Sequence, residues 1–246
     1  GVGLVDVSSL GKIDVQGPDA AEFLNRVYVN GFAKLPVGKA RYGVMLRPDG
    51  IVLDDGTTSR ISEHHYFMTT TTANAGKVMA QLEFLLQTAW PDLRVHVTSV
   101  TSQWAGMAVS GPKCRDLLGR VITDVDLSDG AVPHMGVAQG HAGDIPVRLL
   151  RVSFSGERAY EIYSPAGYGM ALWQMFCDRG AELDLTVYGV EALGALRIEK
   201  GHVAGSELEG RPPLGGLGLA RMASGAKPFL GGALAKREGL ADPDAL

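Results

Sequence analysis

The chain has 246 residues, 46% hydrophobic and 20% charged, with 27 Asp and Glu against 23 Lys and Arg for a formal net charge of -4. That is enough apolar material to build a sizeable core or two lobes, without the basic surplus that non-specific nucleic-acid binding requires. Thirty-three glycines against 7% aromatics favour short strands and many turns over a helical bundle, and no apolar run approaches the roughly 18 residues of a membrane span.

The chain opens on the apolar run Leu4 to Val7, which reads as a strand without a preceding leader and so as the interior of something longer. Lys12 to Val15 alternates into Gln16-Gly17-Pro18. Ala20, Phe23, Leu24 and Val27 follow at the spacing of an amphipathic helix, with Pro18 expected in its first position. Arg41 to Asp55 holds two apolar runs around Pro48-Asp49-Gly50, a turn signal, and predicts a hairpin whose second strand ends in the paired carboxylates Asp54 and Asp55. Thr57 to Ile61 and Tyr66 to Thr71 read as further strands. Val78, Met79, Leu82, Leu85 and Leu86 mark a helix that stops before Pro91.

The plan then starts again. Ser110-Gly111-Pro112 follows the run Trp104 to Val109 and leads into Cys114, Leu117, Leu118 and Val121, all displaced by 94 residues from the first turn and helix. Tyr160 stands 94 residues after Tyr66, and a helix around Met170 to Phe176 answers the one at Val78 to Leu86. A constant offset through turn, helix, strand and helix indicates an internal duplication of a β-α-β-β-α lobe. The expected class is therefore α+β, with 11–98 as a first lobe, 1–10 and 99–225 as a second, and 226–246 as a C-terminal helix and linker. Gly189 to Glu199 predicts one more helix, ended by Gly201.

Standard catalytic signatures are largely missing: no Gly-x-Gly-x-x-Gly, no phosphate-binding loop, no Gly-x-Ser-x-Gly and no His-Glu-x-x-His. His64 and His65 are adjacent, so on a strand they face opposite sides and cannot share a metal; no metal site is expected. Cys114 and Cys177 lack a zinc or disulfide spacing, which makes a reducing cytoplasm the default location. What remains is Tyr42, Asp54, Asp55, Glu157 and Arg197. Asp54 and Asp55 also alternate across a strand, so they do not form a dyad, and from spacing alone either could serve a turn.

As a set, the residues Asp6-Val7-Ser8, Gly50-Ile51-Val52-Leu53-Asp54-Asp55, Ser155-Gly156-Glu157, Tyr160-Glu161-Ile162 and Leu196-Arg197-Ile198-Glu199 resemble the folate-binding aminomethyltransferase family, typified by the glycine-cleavage T-protein. Within that family the version here, with Arg197-Ile198-Glu199-Lys200-Gly201-His202-Val203, is most similar to the C-terminal part of the α subunits of heterotetrameric sarcosine oxidases. The resemblance implies a T-protein-like fold with a tetrahydrofolate pocket between the lobes. It carries the acidic pterin ligand onto Glu157, and places Tyr42 and Tyr160 beside the folate and Arg197 near its tail. The catalytic Asp maps to the Asp54-Asp55 pair, with Asp54 preferred, orienting the folate N10 amine as the one-carbon unit arrives.

The implied activity is the folate-dependent one-carbon transferase portion of a sarcosine-oxidase-type oxidoreductase. It captures the imine from amine oxidation as 5,10-methylenetetrahydrofolate, with flavin and NAD held on other subunits or domains and neither nucleic acid nor membrane as partner. A freestanding folate-dependent demethylase or aminomethyltransferase, or a non-catalytic folate-binding assembly module, are the alternatives. Ser9 stands where the T-protein usually has His, and Thr71 about where it has Asn, which weighs against ammonia-releasing lipoate chemistry. The family's C-terminal β-barrel of roughly a hundred residues has no counterpart before Leu246.

Overall fold

The computed structural model of the chain describes residues 1–208, 210–223, 225 and 227–240. In chain order its elements are β1 (Val2–Asp6), β2 (Gly11–Gln16), α1 (Ala20–Val27), β3 (Lys39–Leu46), β4 (Val52–Ser62), β5 (His65–Thr70) and α2 (Ala75–Phe84). They are followed by β6 (His96–Ser99), β7 (Trp104–Ser110), α3 (Cys114–Val121), β8 (Val137–Ala142), β9 (Ile145–Leu150), β10 (Ala159–Pro165) and α4 (Gly169–Gly180). The same order of seven elements thus occurs twice, the duplicated lobe carrying one strand more at its start and one more in its middle than the sequence pattern suggests. β11 (Leu185–Val187) and α5 (Val190–Lys200) follow the second copy.

Helices α1 and α3 bury the same face. Ala20, Phe23, Leu24 and Val27 are buried in one, and Cys114, Leu117, Leu118 and Val121 in the other. Full burial of such side chains stabilises by about 1.5–3 kcal/mol each. The turn before each helix needs glycine. Gly17 and Gly111 take φ of 135° and 110°, and a Cβ on Gly17 would lie 2.1 Å from the Arg94 carbonyl oxygen. Pro18 and Pro112 sit in these turns, just ahead of the helices rather than in their first positions, since α1 and α3 begin at Ala20 and Cys114.

The strands form two open sheets, ordered β3-β4-β5-β2-β6 and β8-β9-β10-β7-β1-β11. Position by position the two orders match, with one exchange. β1, from the first copy, lies beside β7 of the second, while β6, from the second copy, lies beside β2 of the first. The pairs Leu4 with Val109 and Val97 with Val15 occupy the same place in the two sheets. The chain divides accordingly into two compact units, Gly11–Val37 with Arg41–Ser99 and Val203 onward, and Gly1–Leu10 with Gly38–Ala40 and Val100–His202. No barrel forms among the described residues.

Three details depart from the sequence reading. β4 is continuous to Ser62, so Asp54 and Asp55 lie inside a strand and not at its end. Residues from Val203 pack in the five-stranded unit rather than in the second lobe, because Leu208 and Leu214 are buried with Val29, Val44, Leu46 and Val52. Of the C-terminal helix expected over 226–246, the described part contains only the short 3-10 turn Leu234–Lys236. Residues 226 and 241–246 lie outside the described ones.

Candidate functional site

Because alternate residues of a strand face opposite sides, β4 sends its two carboxylates into different surroundings. Asp54 is fully buried. One oxygen accepts from Thr71 Oγ1 at 2.6 Å and Asn74 Nδ2 at 3.2 Å, and the other from the Thr71 amide at 3.0 Å. Burial pushes its carboxyl up, and the bonds from Thr71 and Asn74 oppose that shift. The group is spent on tying β4 to the start of α2.

Among the described residues, Asp55 has a single side-chain partner, the Tyr42 hydroxyl, which donates to Oδ2 over 2.6 Å. It is 8% exposed. Burial is the largest influence on its carboxyl and raises it to about 6, against the Tyr42 hydrogen bond and with the added repulsion of Asp54 and Glu207. Burial and the adjacent Asp55 charge hold the Tyr42 phenol well above its ordinary value, so it stays a donor. A desolvated carboxylate that titrates near neutrality beside a fixed proton donor is the arrangement general acid–base and electrostatic catalysis require.

The strands hold this pair firmly. Asn30 donates from Nδ2 to the Tyr42 carbonyl over 2.5 Å and accepts from the Val44 amide, fixing β3 at Tyr42. Tyr28, wholly buried, lies 2.8 Å from Thr58 Oγ1 and stacks on Phe32 at 4.5 Å between ring centres. Gly56 lets β4 pass close to β5, since a Cβ there would sit 2.0 Å from the Thr69 carbonyl oxygen.

The remaining sequence candidates belong to the six-stranded unit. Glu157 is exposed on a turn closed by the Ser153 hydroxyl, which donates to the Glu157 carbonyl over 2.6 Å. Its side chain lines a cleft of about 550 Å³ with Ser110, Tyr188, Ala192, Ala195 and Leu196. Arg197, on α5, donates from Nη1 to the His202 carbonyl at 3.1 Å, across the helix end that Gly201 caps at φ 83°. Tyr160 is fully buried in the core with Val109, Leu117 and Leu149, and its hydroxyl accepts from Arg115 Nε at 3.3 Å. Its side chain is packed in the core of this unit, and Tyr160 is not among the residues lining the Glu157 cleft. The structure therefore brings Tyr42, Asp54 and Asp55 together in one unit, while Glu157, Tyr160 and Arg197 belong to the other.

Sequence reasoning quoted Glu161 only as part of a motif. Its carboxyl accepts from the Tyr163 hydroxyl over 2.6 Å and is pushed up by burial. The signal was present: a lone carboxylate among Tyr160, Ile162 and Tyr163 on an apolar strand. Among the described residues no group of three His, Cys, Asp or Glu is arranged to hold a metal ion, and no helix is long and apolar enough to cross a membrane.

Residues 1–226 match the GCVT N-terminal domain model, so the chain belongs to that family. Its fold agrees with this. The solved glycine cleavage system aminomethyltransferase T from Bartonella henselae superposes with a TM-score of 0.81 at 23% identity, over 95% of this chain and 62% of that one. Among curated relatives, sarcosine oxidase subunit alpha from Rhizobium meliloti (strain 1021) is 52% identical over 98% of the chain, and aminomethyltransferase from Streptomyces avermitilis is 34% identical over 81%. The chain spans 25% of the first relative's length and 52% of the second's.

Proposed function

We propose that this chain is the tetrahydrofolate-dependent one-carbon transfer portion of a sarcosine-oxidase-type complex, with Asp55 and Tyr42 at its chemical centre. The observation that carries the reading is the Tyr42–Asp55 hydrogen bond of 2.6 Å on a carboxyl raised to about 6. Between the two mapped carboxylates, Asp55 takes the catalytic role that the sequence had favoured for Asp54. Every oxygen of Asp54 is engaged by Thr71 or Asn74, and drawing it into chemistry would strand those donors.

The residues suit a reduced pterin cofactor with amine nitrogens, because such a ligand needs carboxylates as hydrogen-bond acceptors. Tetrahydrofolate would supply the nucleophilic amines that accept the one-carbon unit, with 5,10-methylenetetrahydrofolate as product. Asp55 Oδ, desolvated, orients an amine N–H and takes its proton; when ionised it also favours an incoming cationic one-carbon group. Tyr42 keeps a proton on the other side of that carboxylate and fixes its rotamer. Glu157, which lines its cleft, and the desolvated Glu161 are the two carboxylates assigned to pterin recognition, and Arg197 the cation for the glutamate tail. Flavin and NAD belong on other subunits or domains, and a cytoplasmic location goes with this reading.

Support for the assembly comes from the sarcosine oxidase relatives, which are about four times the length of this chain. The test is made in the assembled enzyme. Calorimetric titration with tetrahydrofolate should show binding retained in Asp55→Asn and weakened in Glu157→Ala or Glu161→Gln. Formation of methylenetetrahydrofolate should fall about 100-fold or more in Asp55→Asn. Undiminished product from Asp55→Asn would overturn the catalytic assignment and leave a folate-binding module without chemistry.

A further inference from the structure

The Tyr42–Asp55 pair is backed by chain from far along the sequence. Leu208 and Leu214 are buried with Val44, Leu46 and Val52, and Tyr42 and Val203 pack against the same cluster. Backbone bonds fasten this stretch to the hairpin. Arg47 donates from Nη1 to the Gly210 carbonyl at 3.0 Å, and the Val52 amide donates to the Pro212 carbonyl at 3.2 Å. Further on, Gly231 takes φ of 75°, and a Cβ there would lie 2.2 Å from the Arg47 carbonyl oxygen, so the chain passes the turn at a distance only glycine allows.

Two side chains of this stretch act toward the pair from different ends. Lys227, half-buried, donates from Nζ to the carbonyls of Asn25 and Tyr28, each at 2.6 Å. These carbonyls lie at the C-terminal end of α1, where unpaired oxygens and the helix dipole favour a cation. The residues it grips lead directly to the site. The Val29 amide donates to the Val44 carbonyl at 3.0 Å, and Asn30 brackets β3 through the Tyr42 carbonyl and the Val44 amide. Lys227, the segment Tyr28 to Asn30, and Tyr42 therefore form a continuous series of bonds ending on Asp55 Oδ2. At the other end, Glu207 closes the 3-10 turn Gly205–Glu207, its Oε2 accepting from the Ala204 amide at 2.6 Å, immediately before the buried Leu208. The groups acting on the Asp55 carboxyl are Tyr42 from β3, Asp54 from its own strand and Glu207 from this stretch.

We propose that the described residues from Val203 to Lys236 form a strap that positions the Tyr42–Asp55 pair, with Lys227 and Glu207 as its positioning residues. Lys227 fixes the segment that holds Tyr42, and Glu207 directs a like charge at Asp55. The catalytic meaning of the strap rests on the one-carbon transfer reading, whereas its hold on the Asp55 proton does not.

The test follows the Asp55 side-chain carboxyl by carbon-13 NMR in the whole chain from about pH 3 to 9, with Asp55→Asn identifying the signal. Glu207→Gln, at an exposed position, removes one repulsion and should lower the midpoint from about 6 by several tenths of a unit. Lys227→Met loses both donors, frees the segment behind Tyr42 and admits water to the pair; the midpoint should fall by about half a unit or more. Lys227→Arg keeps a cation at the helix end and should restore most of that fall. Should Lys227→Met fail to fold, Lys227→Gln, which retains an amide donor, is measured in its place. An unchanged midpoint in either the Lys227 or the Glu207 variant would overturn that residue's role, and in both would overturn the strap. Undiminished product from Asp55→Asn would overturn the catalytic reading while leaving these midpoints to stand, so the two failures are distinguishable.

Discussion

The raised carboxyl of Asp55 has a consequence for stability that does not depend on any ligand. An aspartate ordinarily titrates near 3.8, and burial brings Asp55 to about 6 in the folded chain. Well below pH 4 the group is protonated whether folded or not, and contributes nothing. Between about pH 4 and 6 the unfolded chain releases the proton while the folded one keeps it, so stability falls as pH rises; above pH 6 the loss is complete. A displacement of about two units corresponds to about 3 kcal/mol, and with the side chain this deeply buried, solvent screening removes little of it.

Asp55→Asn carries no titrating group, and its amide oxygen can still accept from Tyr42. The variant should be more stable than the parent by about 1–3 kcal/mol at pH 8, a rise in Tm of about 5 °C, and the gain should shrink to a small fraction of that at pH 4. Urea unfolding followed by far-ultraviolet circular dichroism at pH 4, 6 and 8 measures this directly. A gain of the same size at pH 4 and 8 would refute the reasoning, as would a loss at pH 8. A residue whose removal stabilises the fold is kept for something other than the fold.

Asp54→Asn should behave in the opposite way: its amide group would face donors from Thr71 and Asn74, costing about 2–4 kcal/mol, read as a fall in Tm at pH 8. Leu24→Ala and Leu118→Ala occupy the same place in the two copies and are both fully buried; each should cost about 3 kcal/mol in denaturant unfolding, and a near-neutral result for either would deny the equivalence of the cores. Deleting residues 1–10 removes β1 from between β7 and β11. Amide signals of the six-stranded unit should then lose dispersion, while an unchanged spectrum would mean that β1 is dispensable.

Much of this organisation was legible before folding. The recurrence of glycine-proline turns and of buried helix positions at a constant offset is a one-dimensional property, because each helix must bury the same stripe to close its own lobe. The opposite facing of Asp54 and Asp55 follows from the two-residue period of any strand, and the Gly201 cap from the left-handed conformation that glycine adopts without strain. The family motifs likewise lie on the surface of the sequence.

Other features depend on contacts between residues far apart along the chain. The exchange of β1 and β6 between the sheets leaves no trace in local pattern, since either strand would suit either edge. Which aspartate is spent on structure was decided by Thr71 and Asn74, some 20 residues downstream, whose donors close around Asp54 and leave Asp55 to Tyr42. The burial of Tyr160 was likewise invisible, because a tyrosine in a motif carries no sign of what packs on it; the core cluster with Leu117, Leu149 and Phe176 sets that. The sequence alone therefore settled which residue types recur and which way they alternate along a strand. Desolvation and hydrogen-bond partners depend on the atoms that tertiary folding brings within a few ångströms, and these decided which of two adjacent carboxylates is enclosed by Thr71 and Asn74 and which meets Tyr42.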